Sequence, residues 1–135
     1  EIGTGFIDIE LPDKQGINRK LSDLKGKVIL VDFSAYESRE SVQYTFALRE
    51  LYNKYASRGF DIYQVALDRN KLLWQESVAN IPWVCVRDEK GPNTIYAATY
   101  NVSSLPSYFL ISRSGDIIGR DMDLQTLEKA IEKQL

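Results

Sequence analysis

No histidine occurs anywhere in the 135 residues. That absence excludes, together, the Ser-His-Asp and Cys-His nucleophile mechanisms, histidine acid–base catalysis and the commonest zinc and iron ligand sets. Cysteine is nearly absent too: Cys85 stands alone, so no internal disulfide can form and thiol spacing gives no redox compartment. The longest apolar runs, 28–31 and 108–111, are strand-sized, far short of the ~20 residues that span a bilayer. Lysine and arginine are scattered and the net charge is −2, which argues against nucleic acid as a partner. Motifs for metals and phosphates are fragmentary. Asp121-x-Asp123 lacks the rest of a calcium loop, and Gly3-Thr4-Gly5 lacks the third glycine and the preceding strand of a phosphate cradle. Ser22-Asp23-Leu24-Lys25 matches Ser-x-x-Lys without its companion motifs. No metal and no cofactor is expected.

What is present is ordinary for a globular domain: 44% hydrophobic and 27% charged residues. At this size one domain over 1–135 can bury roughly two-thirds of the unfolded chain's surface without disulfides. The chain opens without an initiator Met, so a leader or an upstream domain is expected to precede it in a longer protein. Short periodic segments alternate as strand, helix, strand, helix, the pattern of an α/β fold. A first strand is read over 5–11, and a short helical turn over 21–24. The run 28–33, apolar on both alternations except at Asp32, suits a central strand covered on both faces. Beyond Ser38, Tyr44, Leu48, Leu51 and Tyr55 recur at helical spacing, giving a helix of about 18 residues stopped at Gly59. A strand follows over 60–67, then a helix over 71–79 with Asp68 as its cap, a short strand over 83–86 and a helix over 93–100. Residues 108–111 and 117–119 form a hairpin. Leu124, Leu127, Ile131 and Leu135 mark a closing helix with Asp121 and Asp123 at its positive end.

The order of these elements, together with Val31-Asp32-Phe33-x-Ala35, the Leu105-Pro106 loop before 107–111, and Gly115-Asp116-Ile117-Ile118, resembles the TlpA/ResA-like branch of the thioredoxin superfamily across nearly the whole chain. The family pattern is Val-Asp-Phe-Trp-Ala-x-Trp-Cys-x-x-Cys. Here Ser34 and Glu37 stand in the places of the tryptophans, and Ser38 and Ser41 in those of the cysteines. Because the tryptophans have changed along with the cysteines, the sequence reads as natural divergence rather than an engineered trap. The resemblance implies a thioredoxin-like α/β fold, a central mixed sheet flanked by helices, with peroxiredoxin-type strand and helix additions. It also implies a periplasmic or cell-envelope setting, as the C-terminal domain of a Bacteroides-type envelope protein.

A serine hydroxyl is neither acidic enough nor redox-active to replace a cysteine thiolate. Ser38 therefore reads as a helix N-cap, aided by Glu40, and Ser41 as a first-turn residue. Asp32 matches the family's buried acid, here a remnant with no thiol proton to accept. Leu105-Pro106 matches the family's cis-proline loop, which either only shapes a turn or receives an extended peptide by strand addition. Tyr36, Glu37, Arg39 and Glu40, with that loop, form the expected contact surface for an extended peptide or another protein domain. It is polar and hydrated, and weak toward apolar clients. Cys85 reads as inert packing; the alternative is a one-cysteine oxidoreductase or peroxidase whose thiol Arg87 would acidify. A further reading has the domain only stabilising or orienting a neighbouring domain.

Overall fold

The computed structural model describes residues 5–135; Gly3 and Thr4 of the glycine motif lie outside them. The elements run β1 (Glu10–Pro12), β2 (Asn18–Lys20), β3 (Val28–Ser34), α1 (Arg39–Tyr55), β4 (Phe60–Ala66), α2 (Lys71–Ser77), β5 (Val84–Arg87), α3 (Ile95–Thr99), β6 (Ser107–Ile111), β7 (Ile117–Arg120) and α4 (Leu124–Gln134). A five-stranded mixed sheet has the order β5-β4-β3-β6-β7, and β1 pairs with β2 in a separate two-stranded ribbon. β3, β4 and β5 are parallel; β6 runs antiparallel to β3, and β7, antiparallel to β6, points the same way as β3.

β3 is central because its sequence is apolar on both alternations. Ile29, Val31 and Phe33 join the core beneath α3 and the N-terminal segment, with Ile9, Leu21, Ala97 and Tyr100. Val28 and Leu30 face the other core, built with Leu48 and Leu51 of α1, Trp74 of α2 and Leu127 and Ile131 of α4. On α1 the buried stripe is Ser41, Thr45, Leu48, Leu51 and Tyr55, so helical periodicity carries a serine and a threonine into the interior as well as the expected leucines.

The structure departs from the sequence reading where side chains replace ladder bonds. The first strand shortens to Glu10–Pro12; just before it, the Asp8 carboxylate accepts the Ile9 N–H, the Ser22 N–H and the Ser22 hydroxyl in place of strand pairing. The expected helix over 93–100 divides into a 3-10 turn, Gly91–Asn93, and α3, which Thr94 caps by accepting the Tyr96 N–H. Gly91 has φ 57°, and a Cβ there would sit 3.3 Å from the Leu67 carbonyl, a tight approach in a left-handed conformation that favours glycine. Asp68 is not the cap of α2. Asn70 is, accepting the Leu73 N–H at 3.0 Å. At α4 the cap is Asp123, while Asp121 turns back to accept the Tyr108 N–H at 2.9 Å.

Candidate functional site

Parallel β3, β4 and β5 deliver their C-terminal ends to one edge of the sheet, and antiparallel β6 begins there, Ser107 lying opposite Phe33. The segments 35–38, 67–70 and 105–106 therefore emerge side by side. At this edge Ser38 caps α1. Its hydroxyl accepts the Ser41 N–H at 3.3 Å and lies 3.4 Å from Glu40, and the Ser41 hydroxyl accepts the Ala35 N–H at 3.2 Å. Both hydroxyls are thus tied into the turn between β3 and α1. The chain has no histidine to act as a base toward either hydroxyl.

Beneath the turn a row of four side chains crosses the α1 face of the sheet: Tyr108, Asp32, Gln64 and Cys85 occupy facing positions on β6, β3, β4 and β5. Asp32 is fully buried. Gln64 Nε2 donates to Asp32 Oδ2 at 2.8 Å and to Thr45 Oγ1 at 3.1 Å, while Gln64 Oε1 accepts the Tyr36 hydroxyl at 2.7 Å and the Cys85 thiol at 3.6 Å. Asp32 Oδ1 has no hydrogen-bond partner among the described residues. Burial raises the Asp32 carboxyl to about 7, with the Gln64 bond opposing the shift, so the group titrates near neutrality. Burial also pushes the Cys85 thiol up, and the Asp32 charge adds to that effect. Arg87 does not acidify it, contrary to the alternative reading: its guanidinium donates to the Asp68 carbonyl at 3.0 Å and lies over the Trp74 ring. Among the described residues no cluster of three His, Cys, Asp or Glu could hold a metal ion.

A thioredoxin-like family model matches residues 26–117, more than half of the chain. The chain belongs to the thioredoxin-like family. Thiol-disulfide oxidoreductase ResA of Bacillus thuringiensis subsp. konkukian is 30% identical, the match covering 98% of this chain and 76% of that protein. Among solved structures, an uncharacterized thioredoxin-like protein from Bacteroides vulgatus superposes with a TM-score of 0.87 at 47% identity, covering 98% of this chain and 91% of the other. The thioredoxin domain of a thiol-disulfide oxidoreductase from Bacteroides vulgatus gives 0.87 at 26% identity, covering 98% and 96%. The mixed sheet flanked by helices is the thioredoxin-like fold expected from the sequence, and its lone cysteine leaves this member without a disulfide pair.

The thioredoxin-like architecture brings the expected contact residues to one edge but does not leave all of them free. Glu37, Arg39 and Glu40 are exposed, and Tyr36, Leu105 and Pro106 are half-buried. Tyr36 turns its hydroxyl inward to Gln64. Glu37 is a bracket: its N–H donates to Asp68 at 2.9 Å and its carboxylate accepts the Asn70 N–H at 3.1 Å. The Leu105–Pro106 peptide is cis. No helix among the described residues is long and apolar enough to cross a membrane. Sequence reasoning missed Gln64 and Thr45, and gave Asp68 only the role of a helix cap. Their signal was present but non-local: Gln64 is an uncharged polar residue in an otherwise apolar alternation, meaningful only once β4 is set against Asp32 in register.

Proposed function

We propose that this thioredoxin-like domain carries out no disulfide exchange and serves as a binding module, its contact face formed by Tyr36 to Glu40 and the Leu105-Pro106 loop. The observation that carries this reading is the state of the two serines. Ser38 sits at the start of α1, where a thioredoxin-like enzyme places its attacking thiolate, and its hydroxyl is engaged as the helix cap. Disulfide exchange needs a thiolate that attacks one sulfur and a second thiol that resolves the mixed disulfide. The only sulfhydryl, Cys85, is buried with a raised pKa and has no second thiol to resolve it. Asp32 is then a retained acid with no thiol beside it to deprotonate.

Binding fits the same edge. A loop that opens onto the end of β6 offers backbone groups to an extended segment, and exposed Arg39 and Glu40 supply a polar rim. By resemblance to TlpA/ResA-like proteins, the setting is the periplasm or cell envelope, with this domain C-terminal to another that is a second candidate occupant. The test is a titration of the isotope-labelled domain with reduced, carboxymethylated insulin B chain, an extended polypeptide that cannot react. Amide shifts confined to 36–40 and 105–107 are expected. Shifts elsewhere, or none at millimolar peptide, contradict the assigned face.

A further inference from the structure

The fully buried carboxyl of Asp32, idle in disulfide chemistry here, lies one side chain away from the contact face. Among the described residues it forms no ion pair, and its carboxylate accepts one hydrogen bond, from Gln64. Its surroundings are uncharged. Ser34 adjoins it on β3, Gln64 and Cys85 follow on β4 and β5, Tyr108 faces it from β6, and Tyr44, Thr45 and Tyr36 approach from α1 and the turn before it. Burial and the Asp32 charge hold the Tyr36, Tyr44 and Tyr108 hydroxyls and the Cys85 thiol above their ordinary values, so none of these ionises near neutrality. Charged groups bear on the outer members of the cluster: Asp68 on Tyr36, Asp121 on Tyr44 and Tyr108, Asp123 on Tyr108, and Lys14 and Arg49 on Cys85. Asp68, also raised by burial, bonds the Glu37 N–H rather than Gln64.

Gln64 transmits the charge state of Asp32 outward. With Asp32 ionised, the amide NH2 faces Asp32 and Thr45, and the amide oxygen accepts from Tyr36 and Cys85. A protonated Asp32 has a proton to donate. Oδ1 has no partner among the described residues, whereas a proton on Oδ2 meets Gln64, provided that the amide turns over and presents its oxygen. The neighbouring hydroxyls can follow, because each both donates and accepts: Thr45 then donates to the same oxygen, and Tyr36 accepts from the NH2. Cys85 exchanges a weak thiol bond for an N–H donor to sulfur. Tyr36 and Thr45 also line a cleft of about 250 Å³ beside α1, with apolar walls from Val42, Ile81 and the exposed Phe46. A bond reversed on the inner side of the Tyr36 hydroxyl therefore changes what that hydroxyl has left to offer there.

We propose that Asp32 is a proton switch for this cleft: its protonation turns the Gln64 amide over, so that the Tyr36 hydroxyl accepts inward and offers its proton, instead of a lone pair, to the occupant. The turnover belongs to the free domain; its use in recognition rests on the contact face proposed above, of which Tyr36 is part. Nuclear Overhauser contacts of the Gln64 amide protons read the turnover at about pH 5.5 and about pH 8.5, on either side of the Asp32 titration at about 7. Contacts to the Thr45 methyl are expected at the higher pH and to the Tyr36 ring at the lower, and Asp32→Asn should remove the difference. Two neutral probes read the consequence: indole, whose N–H only donates, and acetophenone, whose carbonyl only accepts. Acidification should shift the ratio of their Kd values about tenfold in favour of acetophenone, or about 1.4 kcal/mol. The proposal is overturned if the contacts are the same at both pH values, or if Asp32→Asn keeps the difference. It is equally overturned if neither probe shifts the cleft amides by roughly 10 mM, or if the ratio does not move with pH. Failure of the contact face is read separately, in the insulin-chain titration, since the Overhauser measurement uses no ligand.

Discussion

Gln64 donates its side-chain amide to Asp32 at 2.8 Å across adjacent parallel strands, and the opposite end of the same amide accepts from Tyr36 at 2.7 Å. The orientation follows from charge. An ionised Asp32 only accepts, so the amide must present its NH2 inward and its carbonyl outward to the Tyr36 hydroxyl. One glutamine thereby connects the buried acid to the surface turn before α1.

Asp32 should make stability depend on pH. Its carboxyl rises from an ordinary 3.8 to about 7 on folding, so between those values the folded protein keeps a proton that the unfolded chain has released. Unfolding free energy then falls as pH rises from about 4 to about 7 and levels off above. Asp32→Asn removes this contribution, and the variant should gain on wild type progressively over that range, by roughly 2–4 kcal/mol at pH 8. Asp68, whose carboxyl burial also raises, titrates in both proteins and drops out of the difference. Urea denaturation of the pair from pH 4 to pH 8 is the check; parallel curves would contradict it.

Ser38→Ala should cost about 1 kcal/mol of stability, the usual effect of deleting an N-cap hydroxyl. Ser38→Asp should recover most of that loss, because a carboxylate accepts the same Ser41 N–H and complements the helix dipole. Denaturant midpoints at a constant slope measure both.

Cys85 should resist thiol reagents in the native state. It is 8% exposed and its thiol is pushed up by burial, so maleimide labelling should proceed only as fast as unfolding exposes it. Complete labelling within minutes under native conditions would contradict the buried placement.

The elements that set the fold were legible because they obey a local period. β3 reads as doubly apolar, α1 and α4 repeat at helical spacing, and Ser38 precedes its helix as a polar cap should. What escaped depended on pairing across the chain. The exchange of roles between Asp68 and Asn70 is invisible locally, since both residue types cap helices equally well. Only the fold brings the Glu37 N–H within reach of Asp68. The expected effect of Arg87 on Cys85 failed for the same reason, because Arg87 turns away to the Asp68 carbonyl. The Asp32–Gln64–Cys85 row likewise required the parallel register of β3, β4 and β5.

The measurement that bears most directly on the account is insulin reduction driven by dithiothreitol. The domain should give the protein-free rate, because hydroxyls occupy the start of α1 and the one thiol is buried. A Ser38→Cys/Ser41→Cys double variant, which restores sulfur at the helix start, should accelerate it. Turnover by the unaltered domain that Cys85→Ala abolishes would contradict the account.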